Sequence, residues 1–451
     1  MEKYVEWQNL EEMGMWKRFL VAFLLATIAV VPCLPVQGVP VFIPAPPPDD
    51  HGQNAWPVYD IQACYDPGSG LIRGDLLLAG QGQLTQFNIP ANAPYGAGAH
   101  LTVQGVWCDG QPVPWDLQGD CLQVTSEETQ YTKILHISFQ TQVPQKANRL
   151  GCTGETSVLA GWYPLLSPAG ARVAEVPYGE PYFAEAAIYR VQLTVPCGYQ
   201  VVAGSSLTGV GHDGDTRTWH FHSQHPIREF ACVVSKDWQV TETRAGHVRL
   251  RAYADQARTA SLATAKKALS FFQTIYGSYP YEYLHLVWVP LGDLAGMEYP
   301  GLILLNSTRV TDPQVVVHEV AHQWWYNLVG SDSCREAWID EGLAEYSTRL
   351  FFGGHALAGA GPAPINLSLE EYKNRAAYRL VVYRSGLAFW CQAEQACGRQ
   401  GLQDVLRALQ ERYRFQIVRG EEVLEYLRQY GLPAEVEMKF FPVSEAEADL
   451  R

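Results

Sequence analysis

The stretch His318-Glu319-Val320-Ala321-His322 constrains this chain more than any other, because its residue types work together only on a helix. Residues four apart on a helix share one face and stand about 6 Å apart along its axis, at ~1.5 Å rise per residue. Two imidazoles placed in this way reach one metal ion, and Glu319 beside them can act on a water held there. Glu341 follows His322 by nineteen residues, within Trp338-Ile339-Asp340-Glu341-Gly342-Leu343-Ala344-Glu345-Tyr346, and offers a third ligand. Three protein ligands and one open position make up the donor set of catalytic zinc.

The flanking residues predict the two helices this requires. Asp312-Pro313 reads as an N-cap followed by proline at the first helical position. Val315, Val316 and Val317 lead into the histidines, and no breaker intervenes before Gly330, so a helix up to that glycine is expected. A second helix is expected from Ala337 to Leu350, ending near Gly353-Gly354, with a turn at Asp332-Ser333 folding the two together. Glu345 lies one turn beyond Glu341 on the same face, where it can accept a hydrogen bond from a ligand histidine. A solvated helix acid would look the same in sequence. The pentapeptide alone also fits ordinary residues on a half-buried helix; the caps and the third acid argue against that.

Together these residues resemble the aminopeptidase N family of gluzincin metallopeptidases, peptidase family M1. Two more segments carry the resemblance. Ala295-Gly296-Met297-Glu298-Tyr299-Pro300-Gly301 is similar to the family's Gly-x-Met-Glu-Asn exopeptidase motif. Val382-Tyr383-Arg384-Ser385-Gly386 resembles its Val-Tyr-x-x-Gly segment. The resemblance runs from about Tyr59 to the C-terminus, with sharp motifs only in the catalytic half.

The resemblance implies one Zn2+ per chain held by His318, His322 and Glu341, with Glu319 as general base. It also implies Tyr383 as hydroxyl donor to the oxyanion of the tetrahedral intermediate. Glu298 would bind the free α-ammonium of a peptide, limiting cleavage to the first bond. Gly296 and Met297 complete this substrate-binding segment, and Gly296 and Gly301 are expected to let backbone approach the substrate. The implied partners are peptides with a free N-terminus. Several positions depart from the family pattern. Ala295 stands where the motif has glycine, and Tyr299 replaces its asparagine. The Gln-x-Glu segment of many relatives has no counterpart in the first half; Ala160-Gly161-Trp162-Tyr163-Pro164 stands there without an acid. Amine recognition is therefore expected to rest on Glu298 alone. The alternatives are a zinc hydrolase of other specificity, acting on internal bonds or non-peptide substrates, and a non-catalytic binding protein on the same scaffold.

The rest of the chain sets the frame. Its 451 residues, 47% hydrophobic and 12% aromatic, suffice for two or three packed domains. A formal net charge of −14 argues against nucleic-acid binding, which needs clustered cations. Lys17-Arg18 precedes an apolar run from Phe19 to Val31 that Pro32 breaks. The run is shorter than the ~20 residues of a membrane span and suits a signal peptide over residues 1–38, with Val36-Gln37-Gly38 as cleavage site. Left uncleaved, it would anchor the chain through residues 19–34. Both readings export the catalytic part to a secreted or membrane-anchored location.

Residues 39–57 are proline-rich and read as a linker. Short alternating runs such as Leu71–Leu78, Leu101–Val106 and Lys133–Phe139 make residues 58–243 an expected all-β sandwich or saddle. Residues 244–451 read as a thermolysin-like α+β domain, so the fold class is α+β, with no C-terminal helical domain expected. Strands are expected at 248–253 and 284–290, with a helix at 257–276 between them. Further helices are expected at 370–383, 387–396 and 402–413. The loop 353–364, made largely of small residues and prolines, is expected to be mobile near the site. Of ten cysteines, Cys33 falls in the leader, and the remaining odd number means at least one free or intermolecular thiol. Cys108 and Cys121 flank a Gly/Pro-rich stretch and are candidates for a pair. The oligomeric state is not legible.

Overall fold

Period-two burial builds the first half into sheets. The strand Ile188–Pro196 alternates half-buried and buried residues along its whole length. It pairs in parallel with Val58–Asp66, which runs antiparallel to Leu71–Gly82, and that strand runs antiparallel to Thr129–Gln142. These four form the middle of an eight-stranded sheet. Two four-stranded sheets complete this half, one containing Leu150–Thr153, Thr156–Leu159, Gln200–Ala203 and Cys232–Ser235. The computed structural model describes residues 56–442 except 83, 95–97, 126–128, 169–170, 172, 310–311 and 355–360. All described residues belong to one compact unit, Ala45–Arg451.

The second half opens with a five-stranded sheet: β1 (Gln239–Ala245), β2 (Val248–Ala254), β3 (Tyr283–Val289), β4 (Gly296–Tyr299) and β5 (Leu302–Asn306). Its order is β1-β2-β3-β5-β4, which leaves β4 at an edge. β1 pairs along its length with β2, so this sheet starts at Gln239; a boundary at 243 would cut a strand. Helix α1 (Thr259–Tyr276) makes the crossover between the parallel strands β2 and β3. Val158, Val202 and Val233 of the four-stranded sheet pack on Tyr253, Val287, Met297 and Leu304. This layer contact seats β4 against the first half. Gly301, at φ 69°, serves the same contact, since a Cβ there would collide with the backbone of Gly204. The expectation that Gly301 makes room for substrate is therefore replaced by a packing role.

The metal-motif helix α2 (Pro313–Ala321) stops well before Gly330. His322 is its C-cap, and the chain then turns so that Trp324 and Trp325 enter the core. Tyr326 reverses the backbone at φ 143°, and the Arg228 guanidinium donates to its carbonyl at 2.6 Å. Tertiary packing ends this helix, not a breaker residue. Next come α3 (Asp340–Phe351), a 3-10 turn at Leu369–Glu371 and α4 (Arg375–Tyr378). A π-helical segment, Arg379–Ser385, leads into α5 (Gly386–Arg412). The helix expected over 370–383 is thus broken into three conformations, with Asn374 capping α4 through Ala377 N. The helices expected at 387–396 and 402–413 are one element kinked at Gly398. Two further helices, α6 (Gly420–Gln429) and α7 (Ala434–Phe440), went unmarked in the sequence reading.

Cys108 and Cys121 carry free thiols and sit on strands of different sheets, which corrects the pairing expected from their spacing. The leader 1–38 with Cys33, the linker up to residue 55 and residues 355–360 of the small-residue loop lie outside the described residues. Among the described residues no helix is long and apolar enough to cross a membrane.

Candidate active site

Helix α2 is held from both ends of its sequence. The Asp312 carboxylate accepts the Gln314 N–H at 2.8 Å, and Val316, Val317, Val320 and Ala321 are fully buried. That anchoring turns His318 and Glu319 toward a cavity of about 790 Å³. Helix α3 brings Glu341 to the same place. His318 Nε2 stands 3.1 Å from Glu341 Oε2, His322 Nε2 stands 3.4 Å from it, and the two Nε2 atoms are 3.0 Å apart.

The donor set fits zinc. Ligands at ~2.0–2.1 Å from a tetrahedral ion are ~3.3 Å from one another, close to the separations seen here. His322 Nδ1 lies 2.9 Å from the Trp325 carbonyl, which assigns its proton to Nδ1 and leaves Nε2 as a lone-pair donor. His318 Nδ1 lies 3.2 Å from Glu345 Oε1, a charge contact whose angle falls short of a hydrogen bond. Tyr383, on the π segment, donates its hydroxyl to Glu341 Oε1 at 2.5 Å and stacks on the His318 ring.

Charge couples these groups to one another. Burial would lower His318, but its contacts with Glu341 and Glu345 outweigh burial and leave it raised. His322 is likewise raised to about 9, because the charge of Glu298 and the bond to Glu341 overcome burial. Burial would raise Glu341, yet both histidines pull it down. Burial pushes Glu319 up to about 8, reinforced by Glu298. A bound divalent cation replaces this proton-sharing with direct ligation.

The structure brings every residue expected in the site to one cavity: Gly296, Met297, Glu298, His318, Glu319, His322, Glu341, Glu345 and Tyr383 all line it. Among the lining residues that sequence reasoning missed are Arg149 and Glu180. Glu180, buried, receives a hydrogen bond from Arg149 at 2.7 Å; burial pushes its carboxyl up, Arg149 pulls it down and the charge of Glu298 raises it further. Glu180 thus adds a second buried carboxylate to the cavity wall beside Glu298. Glu180 sits between Pro177 and Pro181 in a loop, where no spacing marks it. Trp162 and Tyr163 of the stretch compared with the family's Gln-x-Glu segment are core residues, with Tyr163 accepting the Phe230 N–H.

A family profile described as "Peptidase family M1 domain" matches residues 260–357, the stretch that contains all three ligands. Residues 260–357 thus resemble a peptidase family M1 domain. Human aminopeptidase RNPEPL1 is 26% identical over 273 residues, covering 52% of this chain and 37% of that protein. Bovine endoplasmic reticulum aminopeptidase 2 is 30% identical over 134 residues, 26% of this chain and 14% of that protein. The chain thus spans well under half the length of these curated relatives. The crystal structure of an M1 zinc metallopeptidase from Deinococcus radiodurans superposes with a TM-score of 0.65 at 17% identity. The match covers 85% of this chain and 92% of that one, and it establishes a shared α+β fold.

Proposed function

We propose that this M1 chain is a zinc-dependent aminopeptidase that removes N-terminal residues from unblocked peptides. The observation that carries this reading is the convergence of three donor groups within 4.8 Å of one another, from His318, His322 and Glu341, beside buried Glu319 and Glu298. The names of the similar aminopeptidases support the substrate class. Zinc held by the three ligands would polarise the scissile carbonyl and acidify the attacking water. Glu319 takes the proton from that water and passes it to the leaving amine. The Tyr383 hydroxyl turns from Glu341 to the oxygen on which charge develops. Glu298, with Glu180 in the same cavity, pairs with the α-ammonium, where burial strengthens a charge-assisted hydrogen bond. Glu345 places its charge beside His318 Nδ1 and so favours the orientation of that ring.

The test compares one peptide bearing a free N-terminus with its N-acetylated twin, using purified zinc-loaded protein. Stepwise loss of residues from the free peptide alone is expected. Cleavage of both would discard amine anchoring, and cleavage of neither would sink the proposal. We also propose that the leader exports the catalytic unit, on the strength of Lys17-Arg18 ahead of the apolar run. Recovery of the intact chain from the cytoplasmic fraction would overturn that.

A further inference from the structure

The cavity carries opposite charge at its floor and its rim. Glu180, Glu298, Glu319 and Glu341 are buried lining residues. Among the less buried charged residues of the lining, four are basic, Lys146, Arg309, Arg375 and Arg379, against the acids Asp293, Asp312 and Glu345. The four cations come from separate segments. Lys146 follows the strand Thr129–Gln142, Arg309 follows β5, Arg375 starts α4, and Arg379 starts the π segment that carries Tyr383.

Some of these charges are already engaged. Arg375 pairs with Asp293 at 3.3 Å and donates to the Pro177 carbonyl at 2.8 Å, while Asp312 caps α2. Among the described residues, the side chains of Lys146, Arg309 and Arg379 make no hydrogen bond or ion pair. In a chain of net charge −14, three uncommitted cations around one opening form a local field that attracts anions.

We infer that this rim reads a carboxylate on the substrate beyond the scissile bond. The preferred substrates are then short peptides with a free C-terminus, or peptides with an acidic residue after the first position. The inference rests on the aminopeptidase reading, in which the amine enters the buried floor and the remaining chain leaves across the rim. An extended peptide advances roughly 3.3–3.6 Å per residue, so two to five residues place the terminal carboxylate roughly 7–18 Å from the amine. The guanidinium fork of Arg379 or Arg309 suits a carboxylate bidentately, and Lys146 adds a point charge.

Calorimetry on zinc-loaded Glu319→Gln protein, which binds without turnover, measures this directly. Trialanine is compared with trialanine amide, and Ala-Glu-Ala amide with Ala-Gln-Ala amide. The anionic member of at least one pair is expected to bind about three- to tenfold more tightly, and the pair that shows it identifies the source of the carboxylate. Adding Lys146→Gln and Arg379→Gln together, or raising salt to about 0.5 M, is expected to bring the ratio toward one. Equal Kd values in both pairs would overturn the inference, as would a ratio that survives both the double substitution and high salt. Turnover of trialanine by the wild-type protein is scored separately: its loss with the charge preference intact counts against the aminopeptidase reading and leaves the rim standing.

Discussion

The carboxylate of Glu319 fills the space that a side chain on Gly296 would need. Gly296 belongs to edge strand β4 and Glu319 to α2, so the absent Cβ lets the sheet edge close on the catalytic helix. Gly296→Ala forces Glu319 away from its place without touching His318, His322 or Glu341. We expect one zinc per chain to be retained while kcat/KM falls by about 100-fold or more, the scale of loss for a misplaced catalytic group. Metal analysis beside kinetics on the same preparation checks both halves. Unchanged kcat/KM would mean that this position of Glu319 is not the working one.

Glu319→Gln separates the base from the ligands. The three donor groups remain, so zinc should stay bound while activity falls by about 10³-fold or more. Stability should not drop, because the substitution removes a carboxyl that burial, aided by Glu298, already pushes up to about 8. Loss of zinc from this variant would make Glu319 a ligand and reverse the role given to it.

The parts of the site legible in sequence are those that helical geometry fixes locally. The i, i+4 spacing of His318 and His322 and the Asp312-Pro313 cap mark α2, and the acids Glu341 and Glu345 share one face of α3. The end of α2 was not legible, because His322–Leu328 has no breaker; the buried tryptophans and Arg228 turn the chain there. Glu180 was invisible for another reason. It reaches the cavity from a loop in the first half, and only the pairing with Arg149 across thirty-one residues places it. The broken run before Tyr383 reads as continuous helix because its π widening depends on contacts with α3 and α4, not on residue type.

Tyr326 holds a backbone conformation that costs a non-glycine residue about 1–3 kcal/mol. Its hydroxyl donates to Glu229 Oε1 at 2.6 Å, and the Tyr182 hydroxyl donates to Glu229 Oε2 at 3.0 Å. Glu229 is buried, and burial raises its carboxyl while the two tyrosine hydroxyls lower it. Tyr326→Phe leaves a buried carboxyl short of one donor, at a cost of about 1–3 kcal/mol. Thermal unfolding of the zinc-loaded variant should show Tm lowered by several degrees. An unaltered Tm would mean that this bond does not offset the strain.

Glu336 gives a pH-dependent prediction away from the metal ligands. Its Oε1 accepts the Gly420 N–H at 2.8 Å, joining the start of α6 to the turn before α3. Burial pushes its carboxyl from 4.5 up to about 7, against the lowering effect of that N–H. The folded state therefore binds this proton more tightly than the unfolded chain does. The sign follows: the stabilisation from the protonated carboxyl is complete below about pH 4.5 and is lost as pH rises toward 7. The full difference corresponds to about 3 kcal/mol, and partial exposure of the side chain reduces it to about 2. Glu336→Gln keeps an oxygen for the Gly420 N–H and removes the ionisation. Unfolding of variant and parent at equal zinc should give similar stability near pH 4.5 and a more stable variant at pH 8, by about 1–2 kcal/mol. A variant less stable than its parent at pH 8 would mean that the ionised carboxylate is the form the fold prefers.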